Sequence, residues 1–283
     1  MTTLKKLLLS LLILTSSIYA KGNNEIIWQV TNWPPFMIIN ENKIEGQYSK
    51  LLQVLEKNLP EYKHKHKNMQ WSRVWHSIKY GTNVCNIFAF KNAEREKYTA
   101  FSKPFSIFLS NHIIMKKTTA KKLQINTKEA YSLKKLLNMQ SIKGSLMLNR
   151  SYSAQVDKLL LDNKSNSNVE RKVLNSKSSL RFLDAGRTDF ILEYPSIIED
   201  LKQSIKINED LVYIKIKEIP TYAWGYVACS DNEWGNKLIN KINKIISKKK
   251  NTSEYQEIIN MMGVTNEDLK LLKEIYPSFV DAK

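Results

Sequence analysis

The stretch from Gly81 to Phe105, G-T-N-V-C-N-I-F-A-F-K-N-A-E-R-E-K-Y-T-A-F-S-K-P-F, holds the side chain best suited to capturing a small molecule. An apolar run from Val84 to Phe88 leads into a short polar turn carrying Arg95, and the chain leaves through Phe101-Ser102-Lys103-Pro104-Phe105. An arginine just beyond a strand end suits an anion, because its planar fork of donors matches a carboxylate. The alternative is a solvated surface arginine. Two cysteines, Cys85 and Cys229, form an even count, which in an exported protein predicts one disulfide; two buried thiols that never meet are the alternative. His64 and His66 lie two apart on one strand face and could hold a metal, but no further ligand set accompanies them, so they read as part of a solvated edge strand. No metal site and no cofactor is expected. No nucleophile elbow and no phosphate loop occurs, and Asn251-Thr252-Ser253 is a sequon in spelling only.

The elements that position these residues read as α/β. Glu25 to Val30 predicts a first strand, ended by Pro34-Pro35. After Gly46, Tyr48, Leu51, Leu52, Leu55 and Leu59 recur at helical spacing until Pro60. Tyr62 to Asn68 alternates with lysine and predicts a second strand. Trp71, Val74, Trp75 and Ile78 mark one face of a second helix that stops at Gly81, and Val84 to Phe88 is the third strand. This order implies a parallel sheet with helices on its faces and a ligand beyond the carboxyl ends of the strands.

The chain's 283 residues suffice for two domains, and its first twenty differ in kind from the rest. Lys5 and Lys6 precede an apolar run from Leu7 to Ile18, closed by Ala20, which predicts a cleaved secretory signal over residues 1–20 and a periplasmic destination. The run is too short to span a bilayer comfortably, and no cysteine near Ala20 offers a lipid anchor. The formal charge of +17 would suit nucleic acid, but the lysines are scattered over every predicted element and the chain is exported, so no nucleic-acid partner is expected. Beyond His112–Met115 the chain turns polar at Lys116. The second half predicts a helix over Leu133–Met139, a turn at Ile142-Lys143-Gly144-Ser145, a helix around Tyr152–Leu160, and a strand from Asp189 to Tyr194. An alternating strand over Leu211–Ile216 follows, then a return through Ile219–Ala228 into C-terminal helices.

With Trp33-Pro34-Pro35-Phe36 upstream, the Gly81–Phe105 stretch resembles the first lobe of the family 3 solute-binding proteins, the amino-acid-type receptors of ABC importers, and the resemblance extends over essentially all of the chain after residue 20. It implies a two-lobe periplasmic-binding-protein-like fold of type II, each lobe a mostly parallel sheet flanked by helices. Lobe 1 would be residues 21–114 and 222–283, and lobe 2 residues 115–221. Two crossings between lobes make a hinge.

The resemblance also implies a site. Trp33 and Phe36 would cover the ligand, with a core-packing turn as the alternative. Arg95 would clamp a carboxylate, and Ser145, after Gly144, would present a hydroxyl and backbone donors. Phe88 and Phe90 stand where the family usually has small hydroxylated residues, which predicts a more aromatic pocket. The family's ammonium-binding aspartate aligns with Tyr194, and Glu193 beside it would replace it only if the strand end twisted toward the cleft. Trp71, Arg73 and Trp75 and the cysteine pair, placed in one lobe by the resemblance, suggest a divergent branch. The function implied is capture of a small, anionic, amino-acid-like ligand by a monomer, for delivery to an ABC permease or a membrane sensor. No catalysis is expected. The competing reading is a dehydratase-type enzyme on the same scaffold, for which Glu193 is the one acidic candidate.

Overall fold

The computed structural model describes residues 24–282, apart from 42, 149, 165–167 and 265. The predicted signal over residues 1–20 lies outside the described residues. Two five-stranded sheets organise the chain. The first contains β1 (Glu25–Val30), β4 (Lys63–Asn68), β5 (Val84–Ala89), β6 (Thr99–Leu109) and β12 (Tyr222–Ser230), in the order β4-β1-β5-β12-β6. A small hairpin, β2 (Ile38–Asn40) with β3 (Lys43–Glu45), stands apart. The second sheet contains β7 (His112–Lys116), β8 (Gly144–Met147), β9 (Val169–Lys172), β10 (Phe190–Glu193) and β11 (Leu211–Lys215), in the order β11-β7-β10-β8-β9.

Hydrophobic periodicity explains why these elements form. In β1 the alternate residues Ile26, Trp28 and Val30 are buried in one core. The helix Gln47–Lys57 buries Tyr48, Leu51, Leu52 and Leu55 against the same core, a stripe at the spacing of one helix face. Strand β5 is buried along its whole length, as a central strand with helices on both sides must be. The second sheet is covered likewise: Ile113 and Met115 of β7 pack into one cluster with Leu133, Leu136 and Leu192, while Ile114 joins Leu180, Leu183 and Ile198 on the other face.

Each sheet is mixed. The β-α-β parts pair in parallel, β4 with β1 and β1 with β5 in one sheet, β10 with β8 and β8 with β9 in the other. The antiparallel pairings come from the strands that carry the chain out and back: β12 runs antiparallel to both β5 and β6, and β7 to both β10 and β11. The expected crossing after Ile114 moves upstream, because His112–Lys116 is already hydrogen bonded within the second sheet. The chain therefore crosses at Ser110–Asn111 and returns at Lys217–Thr221, where Ser110 N donates to Thr221 O at 3.0 Å.

Cys85 and Cys229 stand directly opposite each other on β5 and β12 and form a disulfide inside the first core. The turn expected at Ile142–Ser145 is instead the entry to β8. Gly144 is small for packing reasons, since a Cβ there would come within 2.4 Å of the Phe190 ring. Strand β4 is an edge strand; His64 accepts from Trp28 Nε1 at 2.9 Å and stacks beside it, and His66 pairs with Glu56. Among the described residues no cluster of metal-ligating side chains occurs.

Candidate functional site

A narrow crevice, partly open to solvent, lies between residues from the two sheets and their loops. Its wall is aromatic, with Trp33, Phe88, Phe90 and Phe108 from the first half of the chain, Trp75 from the helix Trp71–Tyr80, and Tyr194 from the end of β10. Trp33 lies in the turn that holds the cis Pro34–Pro35 bond. The rings contact one another edge-on or tilted: Trp33 to Phe36 at 4.9 Å, Trp33 to Tyr194 at 5.5 Å, and Phe90 to Phe108 at 4.8 Å between centroids. Phe36 is in this stack but behind the wall, against Tyr48 and Tyr194.

Two guanidinium groups enter this aromatic space. Arg95 begins a short 3-10 turn, Arg95–Lys97, after β5. Asn92 Oδ1 accepts from the Arg95 N–H at 2.9 Å and anchors the turn. Although Arg95 is only 8% exposed, its side chain donates to a carbonyl, Phe90 O at 3.1 Å, and lies over the Trp75 ring at 3.7 Å. Among the described residues no carboxylate forms an ion pair with it. Burial lowers its pKa to about 10, against a smaller upward pull from Asp157, so it stays charged at neutral pH.

Arg150 approaches from the loop after β8, between the faces of Trp33, Tyr152 and Tyr194. It is as buried as Arg95 but fully engaged: Nη1 and Nη2 each donate to a different oxygen of Glu193 at 2.6 Å. The Glu193 carboxylate also accepts from Ser176 Oγ at 2.8 Å and from the Tyr194 backbone N–H at 3.0 Å. Burial alone would lower the Arg150 pKa, but the Glu193 charge and hydrogen bonds more than offset it and raise it.

The structure thus brings five of the sequence-predicted residues to the crevice wall: Trp33, Phe88, Phe90, Arg95 and Tyr194. Phe36 stands one layer behind. Glu193 is buried beneath Arg150, and Tyr194, beyond the strand end as N-cap of the helix Pro195–Lys202, reaches the same cluster. Ser145 does not reach the crevice; it sits buried within β8, paired in register with Glu170. The loop that does reach it comes later in the chain and carries Arg150 and Ser151. Sequence reasoning missed both, and Phe108 as well. A lone arginine in the Asn149-Arg150-Ser151-Tyr152-Ser153 loop, just before the helix that Ser153 caps, was the available signal.

A crevice between two mixed sheets joined by two crossings is the geometry of a two-lobed receptor, and residues 26–262 match the bacterial extracellular solute-binding proteins, family 3. The chain belongs to that family. Solved structures agree in fold at low identity. An amino acid ABC transporter substrate-binding protein from Streptococcus pneumoniae, bound to L-arginine, is 19% identical with a TM-score of 0.63, over 89% of this chain and 97% of that one. A histidine kinase sensor domain with similarity to periplasmic binding proteins is 15% identical with a TM-score of 0.63, over 82% and 92%. An ancestral amino acid-binding protein, a precursor of cyclohexadienyl dehydratase, is 16% identical with a TM-score of 0.63, over 83% and 93%. No curated protein sequence matches the chain. The fold of this family member is the type II periplasmic-binding-protein fold, and its general role is the binding of a solute.

Proposed function

We propose that the protein is an exported monomeric receptor whose two lobes, one per sheet, close on a small anionic ligand at Arg95. The observation that carries this reading is a buried guanidinium facing an aromatic crevice, with a ring and a carbonyl for partners and no acid among the described residues. A carboxylate would complete it with a bidentate, charge-assisted contact. Trp33, Phe88, Phe90 and Tyr194 would pack on the ligand's body, while Phe36 supports Trp33 from behind. Ser145 has no part in this reading. The hinge would be the pair of crossings at Ser110–Asn111 and Lys217–Thr221. The similar proteins include both a transporter component and a sensor domain, so the partner is an ABC permease or a membrane sensor.

Binding without turnover is the reading the acid-base geometry favours. Glu193, the one acidic candidate, already accepts four hydrogen bonds and is buried beneath Arg150, where it does not line the crevice as a general acid would have to. The test is a thermal-shift panel of amino acids and simple carboxylates on the chain from Lys21 onward, followed by calorimetry on each hit. Ligands that stabilise the wild type and not Arg95→Ala support the reading. A panel whose every hit survives Arg95→Ala overturns it.

A further inference from the structure

The Arg150–Glu193 pair bears on what kind of anion fits, and the inference deepens the proposed function and rests on it. Among the described residues the crevice wall carries two cationic side chains, Arg95 and Arg150, and no acidic one. An incoming ammonium needs a carboxylate or an open aromatic face. Glu193, which touches the wall through Arg150, has both oxygens taken by Arg150 and is 1% exposed. Asp157, whose charge Arg95 feels, does not line the crevice and accepts from Ser151 Oγ and the Tyr152 N–H. Trp75, Trp33 and Tyr194, the wall rings best suited to hold a cation, are already used: Arg95 covers Trp75, and Arg150 lies 5.6 Å from the ring centres of both Trp33 and Tyr194.

We infer that the crevice selects carboxylates that carry no ammonium group, because Arg150, held by Glu193, already occupies the cationic position beside Trp33 and Tyr194. A ligand amine brought in with the carboxylate would face two guanidinium groups across the crevice. Among the polar side chains of the described wall it would find only the Ser151 and Tyr194 hydroxyls to accept its protons. Leaving a charged group unpaired at such a site is costly, whereas an apolar body in the same place packs on the rings.

The experiment compares matched pairs by titration calorimetry: hydrocinnamate against L-phenylalanine, and isocaproate against L-leucine. Within each pair the skeleton is the same and only the ammonium differs. The amine-free acid should bind about tenfold tighter or more in at least one pair. Equal or tighter binding of the amino acid in both pairs overturns the inference and leaves the proposed function standing. Binding of neither member at millimolar concentration also overturns it, and the panel with Arg95→Ala then decides the broader reading. Arg150→Gln sharpens the test by freeing the Glu193 carboxylate, so the preference should move toward the amino acid by roughly tenfold. An unmoved preference in a folded Arg150→Gln protein overturns the role given to Arg150. If that variant fails to fold, the wild-type pairs still decide.

Discussion

Arg95 and Arg150 are buried to the same degree at one crevice, yet they are held in opposite ways. Arg95 has a carbonyl and the Trp75 ring, and burial pulls its pKa down. Arg150 has a carboxylate gripping both arms, and its pKa moves up in spite of burial. The pairing determines what each can do. A guanidinium closed by Glu193 is spent on the structure, while the one resting on a ring has no acid among the described residues to close its donor fork. A third buried cation supports the rule. Lys250 donates to Phe279 O at 2.7 Å and lies over the Phe279 ring at 4.0 Å, and burial lowers its pKa to about 8. Carbonyl and ring partners leave a cation weakly held; a carboxylate fixes it.

Breaking the strong pair should have the largest effect. Glu193→Ala leaves Arg150 charged and unpartnered in the interior, which should cost about 3–5 kcal/mol in urea unfolding. The double change Arg150→Met with Glu193→Leu should recover most of that loss, because well-packed apolar replacements of a buried pair are often neutral. A single variant as stable as wild type would show that the pair is not closed in solution.

Breaking the weak contact should separate binding from folding. Arg95→Ala should weaken a carboxylate ligand by roughly 30-fold or more, since removing one partner of a buried charge pair costs on the order of 2–5 kcal/mol. Its cost to the fold should be smaller, about 1–2 kcal/mol, from the lost stacking on Trp75. Arg95→Lys keeps the charge and loses the fork, so it should restore only part of the affinity. A variant that loses stability and affinity in equal measure would place Arg95 with Arg150, as a structural cation.

A further contrast belongs to Lys250 and is read through pH. Its folded pKa of about 8 lies below the ordinary 10.5, so between these values the unfolded chain binds more protons than the folded one. Stability from this group should therefore rise as pH climbs through that window, with no contribution to the slope below it. Thermal unfolding of wild type against Lys250→Met checks the sign: the rise should be missing in the variant.

The contrast between the two arginines also marks how far the sequence could be read. The parallel strands of the first sheet and the turn carrying Arg95 were legible because their signals are local: periodic helices, an all-apolar strand, and an arginine in the turn that follows it; β6, which read only as an exit from that turn, was not. Even so, the stacking partner of Arg95, Trp75, twenty positions earlier, read as one side of a helix face and as part of a branch motif, not as a wall of the site. The Arg150–Glu193 pair joins residues 43 apart, and no periodicity announces such a contact. Gly144-Ser145 offered a plausible turn and drew the site toward β8, whereas the glycine there answers to Phe190 and the crevice loop begins only after Met147. The aromatic nature of the pocket was readable from Phe88 and Phe90; the second cation inside it was not.

The bond between Cys85 and Cys229 has a consequence beyond the core in which it sits. It spans 144 positions, and every residue of the second sheet lies between its two ends, so that sheet hangs on a covalent ring. A single cut anywhere within the excursion opens the ring without separating the molecule. The two fragments would migrate as one until a reductant parted them, and the first sheet, whose strands come from both fragments, would stay stapled across the break.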